Sequence, residues 1–342
     1  MHAQDPSRYA RQERLPEIQV GGQRRIEASH AAIVGCGALG CASADLLARA
    51  GVGSLTLIDR DIVETVNLQR QTLFDQSQVG MPKAAAAGAR LGAVNPSVRI
   101  VALVSDLVPR NAESLLGFDS AKRPTVLIDG TDNFETRFLL NDLAVKHRVP
   151  LIYGGGIGTE GAVAMIGGAG RACLRCVFDG VPAPGSQPTC ETTGVLGPVT
   201  TAVGARQAAL AIRAMVDPDP QRSELERFDL WTGDHSRMPL TRDPDCACCS
   251  GRRFEYLDSD VEPAEASMCG RDAVQIPASG PIDLESLAAR LGGGFAAGPF
   301  MVRGEIDNGR YHLTVFGDGR TIVKGTRDPA EARSVHARYV GS

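Results

Sequence analysis

From residue 31 the chain alternates short apolar runs with longer stretches whose apolar positions recur at helical spacing. Ala31-Ala32-Ile33-Val34 reads as a buried strand and Gly35-Cys36-Gly37-Ala38-Leu39-Gly40 as a turn. The helix that follows carries Leu46, Leu47 and Ala50 on one face. Gly51 and Gly53 end that helix, and Ser54-Leu55-Thr56-Leu57-Ile58 returns as a parallel strand closing on Asp59. The same rhythm predicts helix 82–93, strand 98–104, helix 111–117, strand 125–129, helix 135–147 and strand 150–153. Strands separated by helices of this length predict an α/β fold. Its sheet is Rossmann-like, doubly wound, mostly parallel and covered on both faces. Glycine-rich extended segments over about 153–167 read as antiparallel strands, and 195–216 as a long apolar helix.

The periodicity stops over 258–280, where acidic residues and Pro263, Pro277 and Pro281 predict a linker between a domain of residues 1–257 and a small α+β module at 281–342. In the module Asp283 caps a helix bearing Leu284, Leu287 and Leu291, stopped by Gly292-Gly293-Gly294. Three strands follow, at about 299–306, 310–316 and 320–325, joined at Asn308-Gly309 and Gly317-Asp318-Gly319. Asp328-Pro329-Ala330-Glu331 opens a last helix. No internal repeat is present.

Composition narrows the partners. A net charge of −4 without any run of Lys or Arg provides no basic face for nucleic acid. The most apolar stretch, Ala31–Ala44, is short and threaded with Gly and Ser, so no membrane span is expected. Met1–Arg14 lacks the apolar core of a signal peptide. Nine cysteines with paired spacing fit metal binding in a reducing compartment, so a cytoplasmic location is expected.

The turn Gly35-x-Gly37-x-x-Gly40, between strand and helix, lets backbone N–H groups approach phosphates at the positive end of a helix. Asp59, at the tip of the next strand, suits a ribose hydroxyl. These two features alone fit any nucleotide, a dehydrogenase cofactor included. Asn67-Leu68-Gln69-Arg70-Gln71 and Lys83 then add an amide and two cations, which polyphosphate needs and a nicotinamide ring does not. Asp129-Gly130-Thr131-Asp132-Asn133 ends the 125–129 strand, where Asp132 can hold Mg²⁺ against a triphosphate. Singly, Arg70 and Lys83 also read as solvated surface charges and Asp132 as a helix cap.

Four cysteines form two tight pairs, Cys173-x-x-Cys176 and Cys246-x-x-Cys249, the spacing of two knuckles that wrap one structural Zn²⁺. Cys248 lies inside the second pair and can compete as a ligand. Cys190 stands apart, in a Pro- and Gly-rich loop ahead of the 195–216 helix, whose N-terminus favours a thiolate. Its alternative is a bystander thiol. Cys36 and Cys41 are explained by packing, Cys269 has no argued role, and no pair of the six histidines has metal-binding spacing.

Arg8-Tyr9-Ala10-Arg11-Gln12, the Gly35–Gly40 turn, Asn67–Gln71, Lys83, Asp129–Asn133 and both cysteine pairs together resemble the ThiF/MoeB/HesA family. These are E1-like adenylyltransferases that activate ubiquitin-like sulfur carriers, and the resemblance spans about residues 8–255. It implies a homodimer in which Arg11 reaches the partner's ATP as an arginine finger. Further implied roles are ribose binding by Asp59, phosphate binding by Asn67, Arg70 and Lys83, and Mg²⁺ binding by Asp132. Thioester or acyl-persulfide chemistry at Cys190, within a crossover loop at about 178–194, is likewise implied. Arg11 enters by resemblance alone.

The expected reaction is MgATP-dependent adenylylation of the C-terminal Gly-Gly carboxylate of a carrier of the ThiS/MoaD type. Pyrophosphate is released, and transfer to sulfur follows, from a persulfide donor or through Cys190. The 281–342 module lacks the look of a sulfur-donor domain and is expected to dock the carrier or shield the crossover loop. Two rivals are an NAD-dependent oxidoreductase, which leaves Arg70, Lys83 and Asp132 unexplained, and a catalytically silent zinc-containing dimeric scaffold.

Overall fold

The apolar run at 30–34 becomes strand β1 (His30–Val34), and its alternating side chains serve two cores at once. The computed structural model describes residues 8–120, 123–168, 170–178, 180–181, 190–217, 223–259, 266–267, 272–277 and 280–341. The chain divides into two units, Met1–Ser259 and Asp260–Ser342.

Unit 1 contains α1 (Gln19–Ala28), β1, α2 (Ala38–Ala50), β2 (Ser54–Ile58), α3 (Lys83–Val94), β3 (Arg99–Leu103), α4 (Pro109–Leu115), β4 (Val126–Asp129) and α5 (Phe134–His147). It continues with β5 (Pro150–Ile157), β6 (Glu160–Gly167), α6 (Cys190–Thr193), α7 (Gly197–Val216), β7 (Glu224–Asp229) and β8 (His235–Pro239). The sheet order is β3-β2-β1-β4-β5-β6-β7-β8. Strands β1 to β5 pair in parallel and β5 to β8 antiparallel. Ala31 and Ile33 of β1 pack with Leu47, Leu91 and Val203 on one face, and Ala32 and Val34 with Leu116, Phe138 and Leu143 on the other. The doubly wound reading therefore holds.

Three elements lie outside the expected pattern. α1 is largely polar, β7 is rich in charge, and β8, the edge strand of the sheet, is exposed along its whole length. One expected core position also moves: Leu46 is 38% exposed while Leu47 is fully buried.

Unit 2 is an antiparallel sheet in the order β11-β12-β13-β14-β10-β9 with two helices. Its strands are β9 (Ala266–Ser267), β10 (Ala273–Ile276), β11 (Phe295–Ala297), β12 (Met301–Ile306), β13 (Tyr311–Phe316) and β14 (Thr321–Lys324), with α8 (Leu284–Leu291) and α9 (Pro329–Tyr339). Asp283 caps α8 by accepting from the N–H groups of Glu285 and Ser286, and Asp328 caps α9 through Ala330. The expected linker at 258–280 is corrected here. Its Ala273–Ile276 segment pairs with β14 and is wholly buried, a four-residue strand too short to show a period beside Pro277.

No described helix is long and apolar enough to cross a membrane.

Candidate active site at the strand-order reversal

Strand order reverses between β1 and β4, and ligands of open α/β sheets gather beyond the carboxyl ends at such a point. Val34 pairs with both Ile58 and Asp129, so the three strands end level and Gly35, Asp59 and Gly130 emerge side by side. The Gly35 and Gly130 turns are pressed together. A Cβ on Gly35, whose φ is +91°, would lie 2.4 Å from the Gly130 carbonyl oxygen, and one on Gly40 would lie 1.9 Å from that of Gly35. Both positions are glycine because the protein's own backbone leaves no space. Gly37, which opens α2, differs: a Cβ there meets nothing nearer than 3.7 Å.

Around this edge the polar side chains are tightly held. Asp59 is buried, and its two oxygens accept from the Cys36 and Asp61 N–H groups, both at 2.6 Å. Burial raises its pKa, against the opposing pull of the Lys83 charge and of those two donors. Lys83, at the start of α3, is buried and its Nζ sits 3.0 Å from Asp61 Oδ2. The Asn67 side chain accepts from Glu64 N–H at 3.1 Å in a short 3₁₀ turn, and half-buried Arg70 donates to the Val66 carbonyl at 3.1 Å. Cys36 and Cys41 are buried, with thiol pKa values pushed up by burial, that of Cys41 to about 12, which makes them packing residues.

Beyond β4 the chain carries Asp132 outward, exposed, while Asn133 caps α5 by accepting from Thr136 N–H at 2.9 Å. The cap role therefore falls to Asn133 rather than Asp132. Three supports were invisible to pattern reading. Asp61 holds Lys83. Buried Arg137 binds Asp129 at 2.7 Å, and Gln207 of α7 donates to the Asp129 carbonyl at 2.7 Å.

Arg11 is exposed on a segment fixed to unit 1 by Tyr9, whose hydroxyl accepts from Asn95 at 2.8 Å, and by Gln12, which donates to the Ala50 carbonyl. Cys190 begins the four-residue helix α6. The chain after it is fastened to the end of β5, where Gly158 N–H donates to the Gly194 carbonyl and Leu196 N–H to that of Gly158. The space at Gly197, the first residue of α7, is bounded by the Gln69 carbonyl and the Arg70 Cβ, so the crossover exit abuts the Arg70 segment.

The second cluster is made of sulfur. Cys173, Cys176, Cys246 and Cys249 place their Sγ atoms within 4.8 Å of one another, with Cys173–Cys246 at 3.6 Å and Cys176–Cys249 at 3.5 Å. Tetrahedral zinc with Zn–S near 2.3 Å requires sulfurs roughly 3.8 Å apart, so the set fits Zn²⁺. Cys248 stands outside it, donating from Sγ to Asp142 Oδ1 at 3.3 Å. A hydrogen bond that its thiol shares with Cys248, together with burial, raises the pKa of Cys173, and burial raises that of Cys176.

The profile of the ThiF family matches residues 9–248. The chain belongs to the ThiF family. A relative named sulfur carrier protein ThiS adenylyltransferase, from Bacillus subtilis, is 36% identical over 343 residues, covering 98% of this chain and 99% of its own. Sulfur carrier protein adenylyltransferase of Thermus thermophilus is 35% identical over 77% of this chain and 96% of its own. Pig adenylyltransferase and sulfurtransferase MOCS3 is 39% identical over 78% of this chain, which spans 57% of that longer protein. Among solved structures, Escherichia coli MccB with succinimide superposes with a TM-score of 0.62 at 18% identity, over 72% of this chain and 75% of MccB, a likeness of fold.

Proposed function

We propose that this chain is a nucleotidyltransferase that uses MgATP to adenylate the C-terminal carboxylate of a ubiquitin-like sulfur carrier of the ThiS type. The choice of ThiS rests on one observation. The alignment with the Bacillus subtilis ThiS adenylyltransferase covers 98% of the chain and so runs through both units, whereas those with the Thermus and pig relatives cover 77% and 78% of it.

A carboxylate is a poor acyl donor. When its oxygen attacks the α-phosphorus of ATP, the bond to pyrophosphate breaks and the resulting acyl-AMP has a good leaving group. The chain supplies alignment and charge. The Gly35–Gly40 turn and the α2 N-terminus face the phosphates, and open Gly37 leaves them room. Asp59 accepts from ribose, its oxygens retaining acceptor capacity beyond two N–H donors. Lys83, Asn67, Arg70 and the partner subunit's Arg11 serve the phosphates, so the active form is a homodimer. Asp132 would hold Mg²⁺, which supplies further positive charge there. Transfer to sulfur then proceeds through Cys190 or directly from a persulfide donor.

The test is ATP–pyrophosphate exchange with purified carriers ending in Gly-Gly. Exchange should require the ThiS-type carrier, and Lys83→Ala or Asp132→Ala should each lower it by about 10²–10³. Exchange that survives both substitutions would remove the assignment, and a silent scaffold would show none with any carrier. Cys190→Ser should keep exchange and lose sulfur transfer; full transfer in that protein excludes a covalent role for Cys190.

A further inference from the structure

Helix α5 starts two residues after Asp132, and it carries three buried polar side chains, Arg137, Asn141 and Asp142, through an otherwise apolar core. Between them they reach the loop before the helix and both cysteine pairs. Arg137 grips the loop before the helix. Its Nε donates to Asp129 Oδ2 at 2.7 Å, and one terminal nitrogen donates to the Thr131 carbonyl at 3.0 Å and the Gly154 carbonyl at 3.2 Å. The other Asp129 oxygen accepts from Thr131 N–H at 3.0 Å and from its hydroxyl at 2.6 Å. The loop bearing Asp132 is thus tied to the first turns of α5.

One turn further on, the helix grips both cysteine knuckles. Asn141 Oδ1 accepts from Leu174 N–H at 2.7 Å, between Cys173 and Cys176, and its Nδ2 donates to Cys248 Sγ at 3.4 Å. Asp142 accepts from Cys248 Sγ at 3.3 Å and from the N–H groups of Tyr256 and Leu257 at 2.9 and 3.3 Å, just beyond the second knuckle. Buried charge of this kind adds little to stability, and its effect here is to fix the positions of the segments that it meets.

We infer that α5 couples the zinc cluster to the Asp132 loop. The ion sets the positions of the two knuckles, Asn141 and Asp142 pass that position to the helix, and Arg137 passes it to the loop. Asn141, Asp142 and Arg137 are positioning residues, since none belongs to the thiol cluster or to the groups assigned to nucleotide. The inference rests on the reading of Asp132 as the residue that meets ATP through magnesium.

The test is calorimetric titration of the full-length protein with ATP, with and without magnesium. Because chelation can unfold the chain, the deciding arm is Asn141→Ala held at full zinc occupancy, checked by metal analysis. This variant should bind MgATP about tenfold more weakly than wild type and bind magnesium-free ATP unchanged, because Asp132 acts only through the cation. By reciprocity, MgATP should slow zinc loss to a chelator in wild type and much less so in the variant. Unchanged MgATP affinity in the zinc-filled variant, or an equal loss with and without magnesium, overturns the coupling. Wild-type protein that binds neither form of ATP overturns the nucleotide reading instead.

Discussion

The carboxyl edge of β1, β2 and β4 and the four-thiol cluster both gather chemical groups, but they are held by opposite means. At the edge the backbone does the work. Gly35, Gly40 and Gly130 pack so closely that a single methyl would collide, and Asp59, Lys83 and Asp129 are each fixed by partners of the chain itself. At the cluster the positions depend on side chains in turns, and the Cys173 and Cys176 thiols sit above their ordinary pKa range. Exchanging those protons for a cation is what makes such an arrangement favourable. The turns at the edge are therefore shaped by the chain's own backbone, whereas the cluster needs its ion.

The largest expected effect follows from that contrast. Cys246→Ser should abolish zinc retention and destabilise the protein by on the order of 4 kcal/mol, read by metal analysis and thermal melting. An unchanged melting temperature would show the cluster to be as self-sufficient as the edge.

A smaller effect belongs to the edge. Gly40→Ala must move the Gly35 carbonyl and should cost about 2–3 kcal/mol, whereas Gly37→Ala has space and should cost under about 1 kcal/mol while still weakening ATP binding. Equal melting temperatures for these two variants would mean that the edge yields where it is described as rigid.

The smallest effect is one of pH. Asp59 has its pKa raised by burial, so between the unfolded and folded values the native state binds the extra proton. Its contribution to stability therefore falls as pH rises through that window, while its ability to accept from ribose grows. On acidification ATP affinity should drop about fivefold, the worth of one hydrogen bond, as the melting contribution of this group improves. Asp59→Asn, lacking a titrating group, should bind weakly with no such slope; an identical slope in that variant would place the titration elsewhere.

Much of this was readable in the chain itself. Gly35–Gly40, the strand endings at Asp59 and Asp129, and the two cysteine spacings are local patterns whose physics is contained in a few consecutive residues. The caps Asp283 and Asp328 were legible for the same reason. Arg137, Asn141, Asp142 and Gln207 were not. Each is a polar residue inside a helix, and several of its partners are backbone atoms of distant segments, as when Asp142 meets Tyr256. β10 was missed because four residues beside a proline carry no period, β8 because an edge strand needs no apolar alternation, and β7 because its Glu224-Leu225-Glu226-Arg227 run is dominated by charge.

The paired hydrogen bonds between Gly158 and residues 194 and 196 act as a mooring. Only four residues of chain run from Cys190 to Gly194, at most about 14 Å when fully drawn out. The backbone of Cys190 therefore stays within that distance of the rim where β5 ends. On the role proposed for Cys190, an acyl group would be picked up and handed over near that rim, so the donor has to travel to the cysteine rather than the cysteine to the donor.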